Sequence, residues 1–146
     1  MVIRKRRGWS FIDLQSYDRA AADFETVLQQ SPADAEAHSG RGYLKALGKD
    51  FVAAEQETVQ SMLLGANDYL VLHNVACIYA VMSNHDHAIE KAYEDLALTL
   101  LRRAVEIYRR TPKPPNNEIE LIRQESAFGV SLRARPEFQE LIGESR

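Results

Sequence analysis

The sequence predicts an all-α solenoid of antiparallel helix pairs, and three observations carry that reading. The chain repeats itself at a spacing of 34 residues, so that Arg7-Gly8 returns as Arg41-Gly42 and Tyr17…Ala20 returns as Phe51…Ala54. Between the joints, apolar residues fall three, four and seven apart, the spacing of one buried helical stripe. Pro32, Gly48 and Gly65 mark the joints themselves. A helical period of this length belongs to stacked hairpins, each of which buries its apolar face only against its neighbours. About three repeats plus C-terminal capping helices account for the chain as a single domain over 1–146.

The repeats are expected at 1–34, 35–68 and 69–110, with helices near 2–14, 17–30, 35–47, 51–64, 69–82 and 86–109. Ser16 is placed to cap a helix whose stripe is Tyr17, Ala20, Ala21, Phe24, Val27 and Leu28. Ser31-Pro32 stops that helix and Asp34 can cap the next. Gly48-Lys49-Asp50 makes the turn within the second repeat, and Gly65-Ala66-Asn67-Asp68 closes it and can cap the third. Small residues at Gly8, Gly42 and Ala76 let the first helix of each repeat approach the second, and Ala20, Ala54 and Ala97 serve the opposing helix in the same way. Phe11 and Phe24 fill the remaining space in the first repeat, as Tyr79 and Leu101 do in the third.

The later copies depart from the first. The second has Lys45 and Thr58 where the first has Phe11 and Phe24, and Ala66 in place of Pro32. The third fits only with an insertion around 84–93, which is expected to lengthen its second helix at the start. Three prolines in Thr111-Pro-Lys-Pro-Pro end the helical run, giving a loop over 111–117 and a cap over 118–146. Within the cap, helices are expected at Glu118–Gln124 and from Pro136. Ile119, Ile122, Phe128, Leu132, Phe138 and Leu141 are the residues that could cover the last apolar face.

Composition sets the class. With 146 residues, 45% hydrophobic and 27% charged, the chain can bury a continuous core. A net charge of −3 provides no global field favouring nucleic acid or an acidic membrane. The lone cysteine, Cys77, excludes an internal disulfide and suits a reducing compartment. No apolar run approaches the roughly 20 residues of a membrane helix. The basic start is followed by no apolar signal segment, so a cytoplasmic protein is expected.

Gly8, Phe11, Ala20, Phe24 and Pro32 stand where the tetratricopeptide pattern places Gly, Tyr, Ala, Phe and Pro. Residues 1–82 resemble bacterial tetratricopeptide repeats with Arg-Gly in the first helix and Tyr-Asp-Arg-Ala in the second. Residues 69–142 are similar to the final repeat of such arrays, in which Asn-Val-Ala-Cys-Ile-Tyr-Ala precedes Leu-Leu-Arg-Arg-Ala-Val. These motifs are packing signatures, so they speak for fold more than for function. The resemblance implies a protein–protein interaction scaffold that binds a peptide or helix of a partner in a concave groove. Its groove positions correspond here to Lys5, Trp9, Ile12 and Asp13, then Ser39, Tyr43 and Ala46, then His73, Cys77 and Ala80. Trp9 and Tyr43 have the character of interface anchors, or else pack against neighbouring helices. The family's clamp for chaperone tails needs two Lys, two Asn and one Arg. The matching positions are Lys5, Trp9, Gly40, Leu70 and Asn74, of which only Lys5 agrees, so acidic chaperone tails are not expected as ligands.

The remaining chemistry is bland at sequence level. Arg4-Lys5-Arg6-Arg7 covers one helical turn and points in all directions, as a solvated helix start does rather than a nucleic-acid stripe. His73 and Cys77 stand four apart, with His85 and His87 on the adjoining turn. Nothing in the sequence makes four ligands converge, so a buried cysteine and no metal is the expectation. Glu90, Glu94 and Asp95 are expected to form surface pairs with Lys91, Arg102 and Arg103. No phosphate loop and no nucleophile–base arrangement is present, so neither enzyme activity nor a cofactor is expected. Met1 falls at repeat position one, leaving the outer side of the first helix either naturally polar or deprived of a neighbour. The alternative function is therefore self-association as a homo-oligomer, or a C-terminal fragment of a larger multidomain signalling protein.

Overall fold

A computed structural model describes residues 1–85 and 88–143 of the chain. Among these residues it contains nine α-helices and no strand. They are α1 (Val2–Asp13), α2 (Tyr17–Gln30), α3 (Ala35–Leu47), α4 (Phe51–Gly65), α5 (Tyr69–Ser83), α6 (Glu90–Arg110), α7 (Glu118–Gln124), α8 (Val130–Ala134) and α9 (Pro136–Ile142). Each of the first three hairpins packs internally, α1 on α2, α3 on α4 and α5 on α6. Across repeats α1 meets α3 and α3 meets α5, so the first helices line one layer of a solenoid-like stack. The helices α7 and α9 close its end against α5 and α6.

The repeat is legible in the joints. Gln15 and Lys49, one period apart, both adopt left-handed backbone, at φ 57 and φ 62. Asp34, Asp50 and Asp68 cap α3, α4 and α5 by accepting from Ala37, Ala53 and Leu70 N–H at 2.9, 3.2 and 2.9 Å. Ser16 differs from the expectation and makes no side-chain cap. Its backbone resembles that of Asp50, but its hydroxyl is one atom shorter in reach than a carboxylate.

The Arg-Gly motif works as a paired device. Arg7 donates from Nε and Nη2 to Asp23 at 2.8 and 2.6 Å, joining α1 to α2. One period on, Arg41 Nε donates to Glu57 at 2.8 Å, joining α3 to α4. A Cβ on Gly8 would sit 2.9 Å from the Phe24 ring, and one on Gly40 would overlap it. Phe24 is fully buried between these two glycines, so the first two repeats close around a single aromatic side chain. At the equivalent place in the second repeat Thr58 is buried with an unpartnered hydroxyl, and the space beside Gly42 is taken by Ile78 of α5, 2.9 Å from where a Cβ would stand. Gly65 belongs to the last turn of α4 rather than to the loop after it.

The expected helix start at 86 and the residue His87 lie outside the described residues, as does the end of the cap, 144–146. The helix α6 begins at Glu90, seven residues before the buried Ala97, whereas α2 and α4 begin three before Ala20 and Ala54. The insertion therefore adds about one turn. In the cap, Ile122, Phe128, Leu132 and Phe138 are buried, with Ile119 and Leu141 packed against them. The short α8 (Val130–Ala134) was not foreseen.

Candidate functional site

The inner surfaces of α1, α3 and α5 enclose a concave cavity of about 820 Å³. Lys5, Trp9, Asp13, Tyr43, His73 and Cys77 line it together with Arg6, Asn74 and Glu125. Ser39 does not. It is fully buried, donates to Glu36 O at 2.6 Å and accepts from Asn74 Nδ2 at 3.1 Å, because α5 packs directly over that part of α3. Ala46 and Ala80 are likewise core.

Trp9 is half-buried, its ring edge-on to Phe24 at 5.3 Å between centroids and 6.0 Å from Tyr43. Tyr43 is only 7% exposed and forms the cavity floor, so it is a core residue with a limited edge available to an occupant. Burial, with smaller contributions from Cys77 and Glu125, pushes its phenol well above the ordinary range. Of the two aromatics offered as anchors, Tyr43 therefore packs into the core while Trp9 keeps a partly exposed face.

The basic run of α1 is consumed internally. Arg4 and Arg7 converge on Asp23, and Lys5 Nζ lies 3.0 Å from Asp34 and 2.9 Å from Glu36. Burial acts to lower the Lys5 pKa, but the two carboxylates outweigh it and hold it above the ordinary value. Arg6 stays exposed on the cavity rim. Three of these four cations thus pair with carboxylates, Arg4 and Arg7 while still 41% and 54% exposed at the helix start, and Lys5 also across to Glu36 of α3.

The α5 end of the cavity is built differently. His73 is 5% exposed and sits between two carboxylates from the cap. Its Nδ1 is 2.6 Å from Glu118 Oε1, and its Nε2 is 3.1 Å from Glu125 Oε2. Glu118 is fully buried and its second oxygen has no hydrogen-bond partner among the described residues. Glu125 is fixed in the turn after α7, where its Oε1 accepts from Ala127 N–H at 3.2 Å. Arg133 binds the same turn through the carbonyls of Arg123, Glu125 and Phe128. Phe128 then packs its ring 5.7 Å from His73.

Electrostatics at this end are tightly linked. Burial alone would lower the His73 pKa, but Cys77 and the two carboxylates raise it well above 6.5. Burial pushes the Cys77 thiol up to about 12. Burial opposes ionisation of Glu125, yet its bond to His73 prevails and holds it below the ordinary value. Partial burial and the Glu125 charge raise the Asp13 carboxyl. A ring nitrogen of His73, the Cys77 sulfur and a Glu125 oxygen all lie within 4.8 Å of one another, a donor set able to hold a cation.

Glu118, Glu125 and Arg133 escaped the sequence reading. No sequence signal joined them: Glu118 opens α7, while Glu125 stands in extended backbone just past its end. The carboxylates of α6 also find unexpected partners. Glu94 is buried and lies 3.5 Å from Arg135, and Asp95 accepts from Arg135 at 2.5 Å. The docked cap supplies that arginine, while Arg103 turns to Ala66 O and Asn67. Among the described residues no helix is long and apolar enough to cross a membrane. No family model matches the sequence, and no curated protein or solved structure matches it.

Proposed function

We propose that the chain is an interaction module of the tetratricopeptide type, whose concave cavity receives a peptide or short helix of a partner protein. The observation that carries this reading is the convergence of Lys5, Trp9, Asp13, Tyr43, His73 and Cys77 on one cavity of about 820 Å³. That volume lies in the range of specific ligand sites. Trp9 offers a partly exposed aromatic face, and Arg6 and Asp13 provide charges of both signs at the rim. An aromatic anchor ringed by polar groups is the usual anatomy of a peptide-binding hot spot.

Affinity capture from lysate tests the reading with three proteins: wild type, a rim variant combining Arg6→Glu with Asp13→Arg, and an outer-face variant, Val59→Lys on α4. Circular dichroism checks that each is folded. A partner kept by wild type and Val59→Lys but lost by the rim variant supports groove recognition. A partner held equally by all three moves the site elsewhere. A mass that rises with concentration and stays the same in the rim variant favours self-association instead.

A further inference from the structure

We infer that His73 Nε2, Cys77 Sγ and the Glu125 carboxylate bind a divalent cation of the zinc class at the α5 end of the cavity, with Glu118 as a positioning residue. Three features support a built site rather than a chance meeting of polar groups.

The first is the donor set. Imidazole, thiol and carboxylate are the three side-chain types that zinc takes, and here all three lie within 4.8 Å of one another. Ligand atoms in a tetrahedral zinc site stand roughly 3.5 Å apart, so the side chains need to close by only about 1 Å. His73 and Cys77 project from successive turns of the rigid α5, and Glu125 comes from a turn fixed by Arg133.

The second is the outer shell. Glu118 Oε1 holds His73 Nδ1 at 2.6 Å, which leaves Nε2 pointing to Glu125 at 3.1 Å. A carboxylate behind a histidine in this way fixes the ring and its tautomer for metal binding. The other Glu118 oxygen is buried and has no hydrogen-bond partner among the described residues.

The third is access. His73, Cys77 and Glu125 all line the cavity, so a fourth coordination position faces its interior and is available to water or to a donor from a groove occupant. Binding displaces the thiol proton of Cys77 and one proton from the His73 imidazolium to solvent, and the cation replaces their positive charge. The site does not depend on the partner-binding reading.

Cobalt(II) titration of the tag-free, chelator-stripped chain tests the site, because a thiolate–cobalt bond gives a charge-transfer band that oxygen and nitrogen ligands do not. The expected result is a saturable band at one equivalent that zinc abolishes. Cys77→Ser should remove the band. Glu125→Gln, a near-isosteric change at a partly buried position, should keep it and weaken binding at least tenfold. Glu118→Gln should weaken binding by about 10–100-fold and alter the band, as loss of an outer-shell carboxylate does. No saturable band, a band that survives Cys77→Ser, or affinity unchanged in folded Glu125→Gln would overturn the assignment.

Discussion

At the α1–α3 end of the concave surface Trp9 stands half-exposed above Phe24 and Tyr43, whereas at the α5 end His73 and Cys77 lie under a segment folded back from Glu118 onward. The helices on the two sides are the first helices of successive hairpins. What differs is the neighbour. The inner face of α1 looks onto open cavity, while α5 carries a histidine able to draw two carboxylates of the cap onto itself. A stack of like hairpins can be divided by its ending: the α1 side of the cavity is left uncovered, while at the α5 side His73 is held against the cap.

The largest effect expected on this comparison is Phe24→Ala. It removes the fully buried ring between Gly8 and Gly40 and should cost about 3–5 kcal/mol in urea unfolding. Phe128→Ala should behave differently, because in a linear stack a lesion at one end is felt most by its neighbours. Hydrogen exchange is expected to quicken in 118–143 and α5 while α1 and α2 keep their protection. Equal loss of protection in all helices would break the distinction between the two ends.

Gly40→Ala comes next. Its methyl group overlaps the Phe24 ring, and overpacking of this kind should cost about 1–3 kcal/mol by thermal unfolding. The smallest effect concerns Asp23, whose carboxyl is held below 3.8 chiefly by its bonds to Arg7, with burial opposing. A group whose folded pKa is depressed contributes its stability above the unfolded pKa and loses it as pH falls through the folded value. The stability difference between wild type and Asp23→Asn should therefore be flat near neutral pH and shrink below about pH 4. A difference that persists unchanged to pH 2 would show that the Arg7–Asp23 bond is not its source.

Much of this was written in local pattern. The period that places Arg7 and Arg41 also places their carboxylate partners Asp23 and Glu57, and the helix ends follow from Asp34, Asp50, Asp68 and the prolines. Of the ten positions the resemblance implied, Lys5, Trp9, Ile12, Asp13, Tyr43, His73 and Cys77 line the cavity and Ser39, Ala46 and Ala80 do not. Three things did not come through. Ser39 is covered by α5, Tyr43 sinks into the core, and the cap reaches His73 from 45 residues away. Each is a packing decision between distant segments, which neither periodicity nor spacing encodes. Arg135 shows the same limit: beside its near neighbour Glu137 it pairs with Glu94 and Asp95, about 40 residues away on α6.

Hydrogen exchange on the chain with and without its captured partner decides whether the open end of the groove is the recognition surface proposed above. Slowed exchange confined to α1 and α3, lost in the Arg6→Glu/Asp13→Arg variant, is the result expected. Protection centred on the outer helices α2 and α4, with α1 and α3 unchanged, would contradict it.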